Sequence, residues 1–169
     1  MGTCYYVIYQ GQDNYQQAID SLLLALNQEV STYIPTSVIS VFNQAEQGIA
    51  LADFPHYQYF LDNLSQSREV VAATDGAFQP TLMPLVNYWG FGYTEKRAVT
   101  QADSLQVAKL MEGVGMKWIR QTADSVVKSK PGVQLDFSAI AKGYGVDLIG
   151  HFLEEQGVVH FFVEIGGEV

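Results

Sequence analysis

The residues best suited to chemistry in this 169-residue sequence gather in one stretch, Leu135 to Asp147. Asp136 offers a carboxylate acceptor, Ser138 a hydroxyl and Lys142 a mobile positive charge, all within seven positions. Before them Gly132-Val133-Gln134 is β-biased; after them Ile140, Tyr144, Leu148 and Phe152 recur every fourth residue, a helical ladder. The spacing predicts a strand ending near Asp136 or Phe137 and a helix opening near Ser138, a residue type that caps helices by accepting a free backbone N–H. A helix start attracts anions through unpaired N–H groups and the macrodipole. With Lys142 in the first turns and Asp136 upstream, the junction could hold a phosphorylated ligand that also presents hydrogen-bond donors. The same residues equally describe an ordinary strand–helix turn with a capping aspartate and a solvated lysine. Gly143 and Gly145 inside the helix, each costing about 1 kcal/mol relative to alanine, point to a bare backbone approached closely by a strand or a ligand.

Several elements must position this junction. Thr3 to Tyr9 is rich in β-branched and aromatic residues and reads as a strand, with Cys4 as one of its buried residues. A helix follows from about Tyr15 to Val30, with Ile19, Leu22, Leu23, Leu26 and Val30 facing inward. Ser31 to Ser37 breaks it, and Ser37 caps a short turn ending at Asn43. Asp53-Phe54-Pro55 predicts the start of another helix, capped by Asp53 and buried along Tyr57, Phe60, Leu61 and Leu64. Thr74 to Tyr93 carries Asp75-Gly76, Pro80, Pro84 and several aromatic residues. It is too apolar for a free loop, so it must wrap the core or line a pocket, with Trp89 and Phe91 leaning to the core. Thr100 to Met111 reads as a capped helix, 117–121 and 125–129 as strands, and Val158 to Ile165 as an interior strand before a Gly166-Gly167 turn. Helices and strands mix without strict alternation, which predicts an α+β fold with no internal domain boundary across residues 1–169.

Composition excludes some classes. The formal charge is −9, and nucleic acid needs a basic face, so no nucleic-acid partner is expected. Cys4 is the only cysteine, so no intrachain disulfide forms, and nothing marks it as a nucleophile. His56, His151 and His160 lack metal-binding spacing and read as non-ligands. No run approaches membrane-spanning length.

Leu135 to Asp147, LDFSAIAKGYGVD, closely resembles the LDFSAIAKGYAVD motif of the ApbE family, the FAD:protein FMN transferases. Four further blocks resemble that family in order: Met1-Gly2-Thr3; Ser31-Thr32-Tyr33 with Ser37 and Phe42-Asn43; Thr74 to Phe78 with Trp89 to Gly92; and Glu164 to Glu168. The resemblance implies a T-fold-related α+β architecture of mixed sheets and packed helices. It also implies an FAD cradle made of Met1, Tyr33, Ala77, Phe78, Gln79, Asp136 and Lys142, with the Ala139 carbonyl as one magnesium ligand. Gln79 stands where the family usually has aspartate, which removes a charge but keeps an acceptor. The implied reaction is magnesium-dependent transfer of FMN from FAD to a threonine hydroxyl of a target protein, releasing AMP. A FAD-binding protein and a FAD pyrophosphatase would share the cradle. The family's later blocks, among them an aspartate and a threonine that ligate magnesium, do not occur here. The expectation is therefore an amino-terminal portion, inactive by itself. Export and a lipid anchor are also implied, hence a periplasmic or inner-membrane-anchored address.

Overall fold

The computed structural model describes residues 2–94 and 103–169. Met1 and the start of the helix expected from Thr100 lie outside them; the described part of that helix is α5 (Ser104–Met111), capped by Asp103, whose Oδ1 accepts the Leu105 N–H at 2.9 Å. Among the described residues two antiparallel sheets are dressed by helices, an α+β arrangement as expected. β1 (Tyr5–Tyr9) pairs with β5 (Phe161–Ile165), and β2 (Gly48–Ala50), β4 (Ser125–Lys128) and β3 (Ile119–Gln121) form the second sheet in the order β2-β4-β3.

Two cores lie against these sheets, and two long helices join them. α1 (Gln16–Val30) gives Ile19 and Leu23 to the core under β1–β5, and Leu26 and Val30 to the core under β2-β4-β3. α6 (Ala141–Glu155) likewise gives Ala141 to the second and Ile149 and Leu153 to the first. Its buried stripe is Ala141-Gly145-Ile149-Leu153, one position on from the expected ladder. The shift has a chemical reason. Tyr144 needs an outlet for its hydroxyl, and donates it to Asp62 Oδ2 at 2.6 Å from the flank of the stripe.

α2 (Val38–Gln44) buries Val38, Ile39 and Phe42, and Ser37 caps it by accepting the Ser40 N–H at 3.2 Å. α3 (Gln58–Ala73) buries Phe60 and Leu64, but Asp53 does not start it: Asp53 ends a short 3₁₀ turn, Leu51–Asp53. The cap comes from another helix. Glu29 Oε2, on α1, accepts the Phe60 N–H at 3.0 Å. That carboxylate is buried, and burial outweighs its backbone bonds to raise its pKa.

Three further expectations are corrected. Cys4 precedes the first ladder residue of β1 and is exposed. Trp89 and Phe91 lie just past the end of α4 (Met83–Tyr88), which turns Met83 and Leu85 inward and leaves both aromatic residues exposed. β5 is not an interior strand, since among the described residues it pairs only with β1. Its run reads as interior because both faces of the ribbon are apolar. Val7 and Val163 face the core as one cross-strand pair, while Ile8 and Phe162 face outward as the next, 68% and 48% exposed beside Tyr6.

Lys128 ends β4 inside the protein. Its Nζ donates to Ala45 O at 2.8 Å and Asn43 O at 3.3 Å, the carbonyls at the end of α2, and lies 4.5 Å from the Phe42 ring centroid. Burial pulls its pKa down from 10.5 to about 8. Between those values the unfolded chain keeps a proton that the folded chain has released, so this group adds stability as pH rises from about 8 to 10.5. Denaturant titrations at pH 7.5 and pH 10 should show the native protein gaining on Lys128→Met as pH rises. A constant difference would contradict the buried cation.

Candidate functional site

Val133, Leu135 and Phe137 alternate inward, buried as a strand would bury them, yet this segment has no strand partner among the described residues. A side chain takes the partner's place. Asn43 Oδ1 accepts the Leu135 N–H at 2.7 Å and Asn43 Nδ2 donates to Leu135 O at 2.8 Å, the two bonds a neighbouring strand would make. From elsewhere in the chain Pro80 O accepts the Asp136 N–H at 2.8 Å. The expected strand is thus an extended segment held by an amide and a loop carbonyl.

The turn that follows also departs from the expectation. Asp136 Oδ1 accepts from Ser138 N at 2.9 Å and from Ser138 Oγ at 2.5 Å, which closes a local turn. Ser138 therefore does not cap α6. The helix opens at Ala141, after Ile140, with the Ala141 N–H bonded to Phe137 O at 2.7 Å. The Phe137 side chain is buried with its ring centroid 5.7 Å from that of Phe60.

Between this turn and the end of α1 lies a cavity of about 470 Å³. Ser138, Ala141 and Lys142 form one wall; Asn27, Val30, Ser31, Thr32 and Tyr33 form the other, with Gly2 at the edge. The 31–33 corner is fixed from behind by buried Ser37, whose Oγ donates to Ser31 O at 2.7 Å. Tyr33 stands 69% exposed, an aromatic face available to a ligand. Lys142 Nζ donates to Gly166 O at 3.2 Å and to Glu168 Oε1 at 2.9 Å, so its charge is tethered to the turn after β5.

The structure brings Tyr33 and Lys142 to one cavity with Ser138. Asp136 and the 77–79 segment do not line it. They adjoin each other through the Pro80–Asp136 bond. Ala77 is exposed and Phe78 half-buried, and Gln79 Oε1 accepts from Thr81 Oγ1 at 2.9 Å. Ala139 is exposed in the turn before α6, and Met1 lies outside the described residues. Among the described residues nothing lies within 4 Å of where a Gly143 side chain would start, so no strand makes the close approach expected there; Gly145 is buried. Among the described residues no group of three or more His, Cys, Asp or Glu could hold a metal ion.

Sequence reasoning did not single out Asn27, and it named Thr32 and Asn43 only within the blocks that resemble the ApbE family, with no role for either. The available signal was polar residues set within apolar helical runs, Asn27 between Leu26 and Val30, and Asn43 at the end of VISVF.

The chain matches the ApbE family over residues 1–169. It is 34% identical to the FAD:protein FMN transferase of Vibrio cholerae, over 100% of this chain and 51% of that protein. It is 33% identical to the same-named protein of Haemophilus influenzae, again over 100% and 51%. Among solved structures, the flavin transferase ApbE from Vibrio cholerae superposes with a TM-score of 0.89 at 32% identity, covering 99% of this chain and 55% of that one. The apo flavinyl transferase ApbE of Pseudomonas stutzeri gives 0.86 at 30%, covering 99% and 56%. The chain spans about half the length of the curated relatives it matches. With all 169 positions matched and the relatives' architecture reproduced along this length, the chain belongs to the ApbE family.

Proposed function

We propose that this chain carries the flavin-nucleotide cradle of an FAD:protein FMN transferase, a magnesium-dependent enzyme that moves FMN from FAD to a threonine hydroxyl of a target protein and releases AMP. The observation that carries the proposal is the cavity at the start of α6, where one cation, three hydroxyl side chains and an exposed tyrosine converge. Its volume, about 470 Å³, lies within the range of small-molecule sites. The donor set suits a nucleotide. Lys142 can neutralise phosphate charge, Ser31, Thr32 and Ser138 can bond phosphate or ribose oxygens, and Tyr33 can pack on a ring. Asp136 and residues 77–79 flank this cradle and would hold a further part of FAD, joined by Met1.

Breaking the pyrophosphate relies on alignment and charge neutralisation more than on a covalent enzyme nucleophile. A magnesium ion, when bound, supplies a Lewis acid for phosphate oxygens. The described residues do not compose a magnesium site: the Ala139 carbonyl is one oxygen, and the ion needs an octahedral set. The other ligands would come from the part of the family's length that this chain does not span, and the chain alone is proposed to be inactive. Its own residues bind and orient the nucleotide. A periplasmic or inner-membrane-anchored location rests on the resemblance; no helix among the described residues is long and apolar enough to cross a membrane.

Incubating a protein of the family's full length that includes this chain with FAD, magnesium and a threonine-bearing peptide should give flavin fluorescence covalently on the peptide. Free FMN and AMP would mean a pyrophosphatase, and intact FAD a binder. In the chain itself Lys142→Ala should weaken FAD binding about 10- to 100-fold, the worth of a hydrogen bond to a charged group. Equal affinity by calorimetry would remove Lys142 from the cradle.

A further inference from the structure

Lys142 does not hang free in its cavity. It is clasped by the turn that follows β5, and we propose that Glu168 is a positioning residue that aims the Lys142 ammonium at the anionic part of the ligand. The proposal rests on the nucleotide reading of the cavity. Its geometry is independent of that reading.

The turn is built to hold a fixed shape. Ile165 and Glu168 exchange both backbone bonds, N–H to carbonyl in each direction, at 2.9 and 3.2 Å. Glu164 Oε1 accepts the Gly167 N–H from within the strand. Gly166 has φ +56°, and a β-carbon there would stand 2.8 Å from Thr3 Cγ2, so the turn is pressed against the segment that brings Gly2 to the cavity edge. On this platform Gly166 O and Glu168 Oε1 each take one Lys142 N–H, at 3.2 and 2.9 Å. An ammonium has three donors, so one remains for a ligand.

Glu168 has two opposite effects on an incoming anion, and their sizes decide between them. Its side chain is 54% exposed, and an exposed charge of that kind acts through solvent, so its repulsion is worth about five-fold in affinity at most. Holding a lysine side chain in one rotamer beforehand removes an ordering cost worth roughly thirty-fold if borne entirely on binding. Tethering outweighs repulsion, so losing the carboxylate weakens binding.

The test uses the whole chain and two readouts. In the ligand-free protein, the rate at which Lys142 is acetylated by a water-soluble acylating reagent, read by mass spectrometry, should rise several-fold in Glu168→Ala and stay near the native rate in Glu168→Gln, which keeps the acceptor oxygen. With FAD as the probe, Glu168→Ala should bind about five-fold more weakly, Glu168→Gln close to the native protein, and Glu168→Ala should have no effect in a Lys142→Ala background. Unchanged acetylation in Glu168→Ala overturns the tether. Equal or tighter FAD binding by Glu168→Ala, while Lys142→Ala still weakens it, overturns the positioning role and leaves the nucleotide site standing. A Lys142→Ala chain that binds FAD like the native one overturns the positioning role and Lys142's place in the cradle together. Melting temperatures of all variants, expected to agree, separate these outcomes from loss of fold.

Discussion

Asn43→Ala is expected to cost about 3 kcal/mol of stability and to weaken FAD binding in the same protein, because one side chain serves both. Among the described residues its amide alone bonds both backbone groups of Leu135, a residue with no exposed surface. Alanine leaves a buried N–H and a buried C=O unpaired, each worth about 1–3 kcal/mol. Asparagine's main-chain oxygen also receives Lys128, so the site ties α2, β4 and the approach to α6 at one point. Urea denaturation should show a lower midpoint with an unchanged slope. A loss below about 1 kcal/mol would mean that water or a shifted backbone replaces the amide readily. The segment would then not depend on Asn43 for its place.

Phe137→Ala should cost as much or more, about 3–5 kcal/mol, as expected for a fully buried aromatic side chain. The ring packs beside Phe60 beneath the turn, and the Phe137 carbonyl receives the first N–H of α6. A collapse into the vacated space would tilt the start of the helix and move Lys142 with it. Thermal unfolding should fall on the order of 10 °C, and FAD affinity should fall with it. Phe137→Leu, which fills most of the volume, should recover most of both. If Phe137→Ala lowered the melting temperature and left FAD affinity intact, the floor of the cavity would be independent of the core beneath it.

Helices with a clean apolar period were readable from sequence: α1 and the body of α6 fall within a residue or two of their expected spans, because periodicity reports a buried face directly. The Leu135–Asp147 stretch was legible as the place where chemistry gathers. What sequence did not reveal was how that place is held. The partner that satisfies Leu135 is 92 positions away and is a side chain, so no local pattern announces it. Ser138 has the right type to cap a helix, but Asp136 competes for its N–H and hydroxyl and delays the helix to Ala141. At α3 the expected cap, Asp53, lost to Glu29 from a different helix. The misplaced interior strand and the exposed Trp89 and Phe91 share one cause. Apolar side chains show that a surface favours burial, and say nothing of which other segment supplies the cover.

The β1–β5 ribbon has a practical corollary for anyone handling this polypeptide at the bench. With Tyr6, Ile8 and Phe162 turned to water along a ladder whose outer edges have open backbone groups among the described residues, the molecule carries a tacky flank. The many acidic side chains elsewhere oppose clumping through mutual repulsion. Salt screens that repulsion while leaving the oily contact intact. Dilute, low-ionic-strength storage is therefore the condition that keeps the chain dispersed.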